Sequence, residues 1–149
     1  MPTTSCQYCD GAPTPPEQFY ETKLFRVLVS RNAIAAGQVI IVPKHHDPHF
    51  YSFNDEQMEE FGYLIKKVSF WAMRYTRTHG FTILMNDGTV EVSQDSHLMI
   101  HIVPRQFADA KFTQIVQQIS LVTGQLTDEQ IAKAVGDMKG LMQLPQDNV

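Results

Sequence analysis

Long hydrophobic runs are missing from this sequence of 149 residues. Its most apolar stretches, such as residues 39–42, are far shorter than the roughly 20 residues that a helix needs to cross a bilayer. The first residues also lack a basic segment followed by an apolar one, which a secretory signal would contain. We therefore expect a cytoplasmic protein that has no membrane partner.

Basic charge is scarce as well. The 12 lysines and arginines are outnumbered by 16 aspartates and glutamates, which gives a formal net charge of −4, and the basic residues are scattered along the chain. Binding to long nucleic acids depends on many phosphate contacts from Lys and Arg. We therefore expect no nucleic acid partner, whereas a small anionic ligand is compatible with this composition.

Cysteine occurs twice, as Cys6 and Cys9 of a single Cys-x-x-Cys segment. In a reducing compartment this spacing is typical of half a metal site or of a redox pair more than of a structural disulfide. A pair of free or redox-active cysteines therefore stays open as the alternative to a metal site. The choice between the two depends on histidines elsewhere in the chain.

The length suits one domain, which we predict to extend over residues 1–149. Residues 1–18 contain the Cys-x-x-Cys segment and a proline-rich connection that we expect to be irregular. Residues 125–149 contain a C-terminal helix and tail, and Thr127 and Gln130 form the capping box that begins this helix.

Strand patterns and one long helix account for most of the remaining chain. Apolar residues recur at helical spacing over residues 54–78, after a capping box formed by Asn54 and Gln57 and before Gly80. Residues 112–121 suit a short helix. The strand patterns are a pair within 19–30 and single strands at 38–42, 81–85 and 97–103. We predict an α+β fold with a mostly antiparallel five-stranded sheet.

The strand predicted at residues 97–103 carries the most functional information. Because side chains alternate between the faces of a strand, His97, Met99 and His101 share one face. The residues between them should pack in the core: Leu98, Ile100 and Ile102. From spacing alone, two histidines on one face are equally compatible with ordinary polar surface.

The wider pattern of residues around these histidines resembles the histidine triad (HIT) family. Residues 97–105, His-Leu-Met-Ile-His-Ile-Val-Pro-Arg, agree at eight of nine positions with the family's His-φ-His-φ-His-φ-φ motif and the Pro-Arg that follows it. Residues 36–46 resemble the family's Gly-His, apolar strand and Pro-Lys-x-His. The Cys-x-x-Cys is similar to the segment that opens many bacterial members. The resemblance covers most of the chain and implies a HIT-like fold.

The resemblance also implies a function. HIT proteins are usually homodimers that bind purine nucleotides, and their central histidine attacks the α-phosphate to form a nucleotidyl-histidine. Met99 stands at that position here, and its thioether cannot replace an imidazole nucleophile. We therefore expect a nucleotide-binding protein whose nucleotidyl hydrolysis or transfer is impaired, with Met99 at the place of the lost nucleophile and His101 still facing the pocket.

Zinc-bearing bacterial members of the family imply a metal site in this chain. The matching ligands are Cys6, Cys9, His46 and His97. Two thiolates and two imidazoles form a closed tetrahedral set, which is appropriate to a structural zinc ion. His45 and His49 are the alternatives to His46 as ligand.

Nucleotide contacts carry over from the family less evenly. The positions that match are Leu28 and Ile34 for the base, Ser30 for the ribose, Asn86 for ribose or phosphate, and Gln94 and Ser96 before the triad. Gln38 replaces a family histidine, and residues 92–96 replace a family glycine that lets the backbone approach the phosphates. Two alternatives stay open: an active hydrolase of dinucleoside polyphosphates or phosphoramidates, and a zinc-stabilised dimeric interaction module.

Overall fold

The computed structural model describes residues 6–46, 49–87, 97–106, 109 and 127–141. The chain divides into two compact units, Met1–Ala108 and Asp109–Val149, which we describe separately. The organisation of residues 1–149 as one domain stays a prediction.

The first unit contains a five-stranded sheet in the order β1-β2-β3-β5-β4, with every neighbouring pair antiparallel. The strands are β1 (Gln18–Glu21), β2 (Phe25–Val29), β3 (Val39–Pro43), β4 (Gly80–Asn86) and β5 (Met99–Arg105). This confirms the predicted α+β fold and its five antiparallel strands. The last strand begins two residues later than its pattern predicts, at Met99, so His97 precedes the sheet.

Helix α1 (Asp55–Thr76) connects β3 to β4, after a short 3₁₀ turn at Phe50–Ser52. Its capping box is formed as predicted, because the Asn54 side chain accepts from the Gln57 N–H and the Gln57 side chain accepts from the Asn54 N–H. The helix ends before Gly80, since Arg77 adopts a left-handed conformation with φ of 55°. Gly80 instead begins β4.

The buried stripe of α1 is shorter than its apolar pattern. Met58 in the first turn and Tyr75 in the last turn are 42% and 82% exposed. The side chains that are buried are Phe61, Leu64, Val68, Ser69 and Ala72. Only the central turns of the helix therefore bury their stripe.

The main core lies between α1 and one face of the sheet. Val27, Ile41 and Ile100 share that face because they pair across β2, β3 and β5, and all three are fully buried in one cluster with Leu64 and Val68. The predicted burial of Leu98, Ile100 and Ile102 is confirmed. Each such side chain stabilises the fold by about 1.5–3 kcal/mol. Residues of alternate parity face the other side of the sheet, which we call the site face.

Gly37 shapes the turn that leads into β3. Its φ of 76° lies in the left-handed region that favours glycine, and a Cβ there would collide with the side chain of Thr76. The turn places the next residue, Gln38, at the start of β3 with its side chain buried.

The second unit contains helix α2 (Asp128–Leu141). Its predicted capping box is confirmed, because Thr127 N–H donates to Gln130 Oε1 and Gln130 N–H donates to Thr127 Oγ1. The helix suggested at residues 112–121 lies outside the described residues. In the described part of the chain, no helix has both the length and the apolar character needed to cross a bilayer.

Candidate functional site

The Cys-x-x-Cys segment forms a tight turn that is anchored to the sheet. Cys9 N–H donates to the carbonyl of Cys6 at 3.3 Å, and Asp10 N–H donates to the carbonyl of Lys44 at 2.7 Å. Lys44 directly follows β3, so the turn lies against the end of that strand. Both cysteines are free thiols.

A buried cation, Arg26, also holds this turn. The guanidinium extends from β2, is 5% exposed, and donates from Nη2 to the carbonyls of Cys9 at 3.2 Å and Ala12 at 3.1 Å. A third, longer bond runs from Nη1 to the carbonyl of Pro13. One side chain therefore satisfies several carbonyls of an irregular segment that lacks ladder partners of its own.

Four side chains converge where this turn meets the sheet: Cys6, Cys9, His46 and His97. Their ligand atoms all lie within 4.8 Å of one another, and the set could hold a metal ion. His46 belongs to this cluster and His45 does not, while His49 Nδ1 instead lies within hydrogen-bond distance of Asp87 Oδ1, at 2.8 Å. The sequence left those three histidines as alternatives.

The separations suit tetrahedral coordination. Bond lengths usual for zinc place two nitrogen ligands about 3.3 Å apart, and a nitrogen and a sulfur about 3.6 Å apart. His46 Nδ1 and His97 Nδ1 are 3.3 Å apart. The nitrogen–sulfur distances are 3.2 Å from His97 to Cys6, 3.4 Å from His46 to Cys9 and 3.9 Å from His97 to Cys9.

The backbone of β3 orients the buried imidazole of His97. Its Nε2 donates to the carbonyl of Pro43 at 2.6 Å. Since a neutral imidazole carries one proton, Nδ1 keeps its lone pair and faces the two thiols. A carbonyl that fixes the tautomer of a ligand histidine is the usual second partner in zinc sites.

The two thiol sulfurs of this cluster lie within 4.8 Å of each other. Burial, together with the neighbouring Cys6 thiol, raises the pKa of the Cys9 thiol to about 11, against a lowering by Arg26. A divalent cation would reverse this balance, because it displaces the proton and binds the thiolate directly.

The centre of the site face carries His101, which pairs across the sheet with Ile40 on one side and Leu84 on the other. Gln38 Nε2 lies 3.1 Å from His101 Nδ1. The amide oxygen of the same glutamine accepts from the backbone N–H of Ile34 at 2.7 Å. The glutamine thus joins the histidine to the turn before β3.

A cleft of about 310 Å³ opens on the same face, with Leu28 and Ile40 among its apolar lining. Its polar lining comes from the N-terminal segment and from the turn after β2: Gln7, Tyr8, Glu17, Arg31 and Asn32. Arg31 donates to Glu17, and this ion pair lowers the pKa of the Glu17 carboxyl. Five of its nine lining residues are polar, so the cleft combines apolar strand residues with several hydrogen-bonding groups.

Family comparison decides how this arrangement is classified. A family model described as HIT domain matches residues 13–108, which cover the whole sheet and α1. The chain belongs to the HIT domain family.

Several curated HIT proteins resemble the chain at low identity. The nitrilase and fragile histidine triad fusion protein NitFhit of Caenorhabditis elegans is 26% identical over 102 residues, which are 68% of this chain and 23% of that protein. A bis(5'-nucleosyl)-tetraphosphatase (asymmetrical) of Schizosaccharomyces pombe is 24% identical over 102 residues, 68% of this chain and 56% of its own. The chain therefore spans less than two thirds of these two relatives. A bis(5'-adenosyl)-triphosphatase of Dictyostelium discoideum is 23% identical over 128 residues, 85% of this chain and 86% of its own.

Solved structures of HIT proteins share the fold. A HIT family protein from Bacillus subtilis superposes with a TM-score of 0.65 at 18% identity, covering 89% of this chain and 91% of its own. A Zn-bound histidine triad family protein from Mycobacterium smegmatis gives a TM-score of 0.56 at 21% identity, covering 65% of this chain and 70% of its own.

The HIT positions predicted for nucleotide contact fall into three groups. Leu28 is 3% exposed and lines the cleft, and Ser30 is 8% exposed at the end of β2. Ile34 is 56% exposed and is not among the residues that line the cleft. Asn86 ends β4 opposite Met99, and Gln94 and Ser96 lie outside the described residues. All these contacts stay predictions.

Two polar anchors of the HIT scaffold escaped the sequence prediction. Arg26 stands in a strand of apolar residues, and a lone arginine there was the signal that its charge needs buried partners. Gln38 was noted as a departure from the family, but its contacts with Ile34 and His101 depend on how the turn folds.

Proposed function

We propose that the chain is a nucleotide-binding HIT protein with impaired nucleotidyl hydrolysis and transfer. The observation that carries this proposal is the line of residues at 97, 99 and 101. His97 belongs to the metal cluster, His101 is bonded to Gln38, and Met99 lies between them without an imidazole. The cleft on the same face provides room for a small ligand, while the reacting group of the family is missing.

The names of three relatives support a nucleotide as the ligand class. Two are phosphatases of bis-nucleosyl polyphosphates in Schizosaccharomyces pombe and Dictyostelium discoideum, and one solved relative is a diadenosine triphosphate hydrolase from Plasmodium falciparum. In this chain Leu28 and Ile40 suit a flat apolar base. Ser30 and Asn86 are the proposed partners of the ribose and phosphate.

Calorimetric titration with adenosine and guanosine monophosphates tests the binding half. We expect saturable binding below millimolar ligand, weakened at least tenfold by Leu28→Asp, which places a carboxylate in the apolar lining. Leu24→Asp is the control because Leu24, on the turn before β2, is absent from the cleft lining. Absence of binding at millimolar ligand would contradict the proposal and favour a pure interaction module.

We further propose that the four-residue cluster holds a structural zinc ion. The ligand separations, the Nε2 bond from His97 to Pro43, and a solved Zn-bound relative support this identity. Zinc there would join the N-terminal turn to the end of β3 and to the start of β5. It would supply cross-linking and no chemistry, because four protein ligands leave no open position. Free thiols that serve as ligands also suit a reducing, cytoplasmic compartment.

We also propose a homodimer. In the described sheet β4 pairs on one side only, with β5, and Phe81, Ile83 and Met85 are each more than a third exposed on its α1-facing side. An edge strand with exposed apolar residues is a template for a second chain. Light scattering should give twice the chain mass for the native protein and the monomer mass for Ile83→Lys, whereas an unchanged dimer in that variant would contradict the β4 interface.

A further inference from the structure

Gln38 occupies an unusual place for a neutral amide. It directly precedes β3, and its backbone C=O accepts from Ser30 N–H at 2.9 Å. Its side chain is 2% exposed and lies between the Ile34 backbone and the His101 ring. A buried amide in this position has to match the donors and acceptors of both neighbours.

The Ile34 contact determines which way the amide points. A backbone N–H can only donate, so the atom 2.7 Å from it must be the amide oxygen. The NH₂ group then faces His101 Nδ1 at 3.1 Å. Rotating the amide by half a turn would place NH₂ against N–H and leave a buried donor without a partner, which is costly.

The amide orientation in turn determines the protonation of the histidine. An NH₂ group can only donate, so His101 Nδ1 must be the acceptor and cannot carry a proton. In a neutral imidazole the single proton is then on Nε2. A doubly protonated ring would place an N–H of its own against the NH₂ group of Gln38.

We propose that Gln38 is a positioning residue that holds His101 as its neutral Nε2–H tautomer. The Nε2–H of His101 then has the polarity that suits an anionic oxygen, such as that of a phosphate. It has no lone pair on Nε2, so it cannot act there as a nucleophile or a base in place of the missing histidine at position 99. The ligand part of this inference rests on the proposed function, whereas the tautomer part does not.

Nitrogen NMR tests the tautomer directly. In protein labelled with ¹⁵N, long-range ¹H–¹⁵N correlations distinguish protonated from unprotonated ring nitrogens, and His101→Gln identifies the signals of His101. At pH 7 we expect a protonated Nε2, together with a ¹⁵N–¹⁵N coupling through the hydrogen bond from Gln38 Nε2 to His101 Nδ1. A protonated Nδ1, or a doubly protonated ring, would overturn the proposal.

Gln38→Glu provides a second measurement with nearly the same side-chain shape. An ionised carboxylate accepts from both neighbours, so it should move a proton onto His101 Nδ1. Gln57→Glu is the matched control, since it adds the same charge at the capping box of α1 and should leave the His101 signals unchanged. An ionised carboxyl group at position 38 with Nδ1 still unprotonated would contradict the proposed role of the amide.

Adenosine monophosphate separates this inference from the proposed function. His101→Phe should weaken its binding about tenfold or more, because a hydrogen bond to a charged group is lost, while Gln57→Glu should bind as the native protein does. If the native protein binds no nucleotide, the proposed function fails and the tautomer measurement still decides the role of Gln38. Unchanged affinity in His101→Phe would remove the donor role of His101.

Discussion

Two regions of the site face differ in whether they contain all the side chains that their proposed role requires. At one end, four ligand atoms lie within 4.8 Å of one another, and both the protein backbone and Arg26 hold their segments in place. At the centre, Met99 and His101 follow each other on the same face, but the methionine brings no titratable group and the histidine is bonded to an amide. We therefore propose that the HIT scaffold is retained where it would hold a metal ion, and altered at the position where the family reacts.

Introducing an imidazole at position 99 should restore the reacting group at the centre of the site face. We expect it to have the largest effect of the changes considered, on the rate of hydrolysis. We expect Met99→His to raise hydrolysis of adenosine phosphoramidates or dinucleoside polyphosphates by about a hundredfold or more, since loss of a covalent nucleophile commonly costs orders of magnitude. Steady-state rates would measure the gain.

The matched control for this substitution is Met58→His. It introduces a histidine of the same kind in the first turn of α1, where Met58 is 42% exposed, and should leave the rate unchanged. If the native protein hydrolyses these substrates as fast as Met99→His does, the proposed impairment is contradicted and the alternative of an active hydrolase is supported.

The proposed metal site should lose its ion when one ligand is replaced, and should keep the ion when the neighbouring His45 is replaced. We expect His46→Gln to lose bound zinc and about 3–4 kcal/mol of unfolding free energy under saturating metal, because binding to the native state alone stabilises it. Metal analysis and urea unfolding measure the two effects. His45→Gln is the control, as His45 is exposed and outside the cluster. Full zinc in both variants would remove His46 from the ligand set, whereas absence of zinc from the native protein would favour a pair of free or redox-active cysteines.

Arg26 should affect the metal region less than a ligand does. Arg26→Met keeps an unbranched apolar stem but leaves the carbonyls of Cys9 and Ala12 without their donor. We expect a loss of about 2–3 kcal/mol in unfolding free energy and about tenfold weaker zinc binding. Arg31→Met, at an exposed ion pair with Glu17, should change neither quantity measurably. Normal zinc affinity in Arg26→Met would show that the Cys-x-x-Cys turn adopts its conformation without the bonds from Arg26.

Sequence patterns predicted the regular elements well because those patterns are local. Alternation placed Leu98 and Ile100 in the core, and the capping residue Asn54 marked the start of α1. The end of α1 was misjudged, since Arg77 adopts the left-handed conformation that glycine usually provides. Because arginine rather than glycine occupies this position, the sequence gives no local signal that the helix ends there.

The candidate site was predictable in part. The motif resemblance named the residues that converge in the metal cluster, although their separation along the chain is as large as 91 residues between Cys6 and His97. Contacts that depend on an irregular turn were not accessible in the same way. The bond from Ile34 to Gln38 arises from a turn that only Gly37 permits, and the buried position of Arg26 depends on how residues 9–13 fold over β2.

The smallest expected effect concerns the rim of the cleft, where charge is exposed. Arg31 lowers the pKa of the Glu17 carboxyl, so this pair stabilises the native state above the ordinary glutamate pKa, and the contribution is lost as the pH falls through the lower native value. Glu17→Gln should therefore lower the thermal midpoint near neutral pH by less than about 2 °C, and should have a smaller effect at an acidic pH below the ordinary glutamate pKa. Thermal unfolding at both pH values, with Glu59→Gln on the exposed side of α1 as control, measures the difference. A larger shift near neutral pH would mean that polar contacts at the rim stabilise the native state as much as those around the Cys/His cluster do. The contrast between the two regions would then be confined to Met99 and its neighbours.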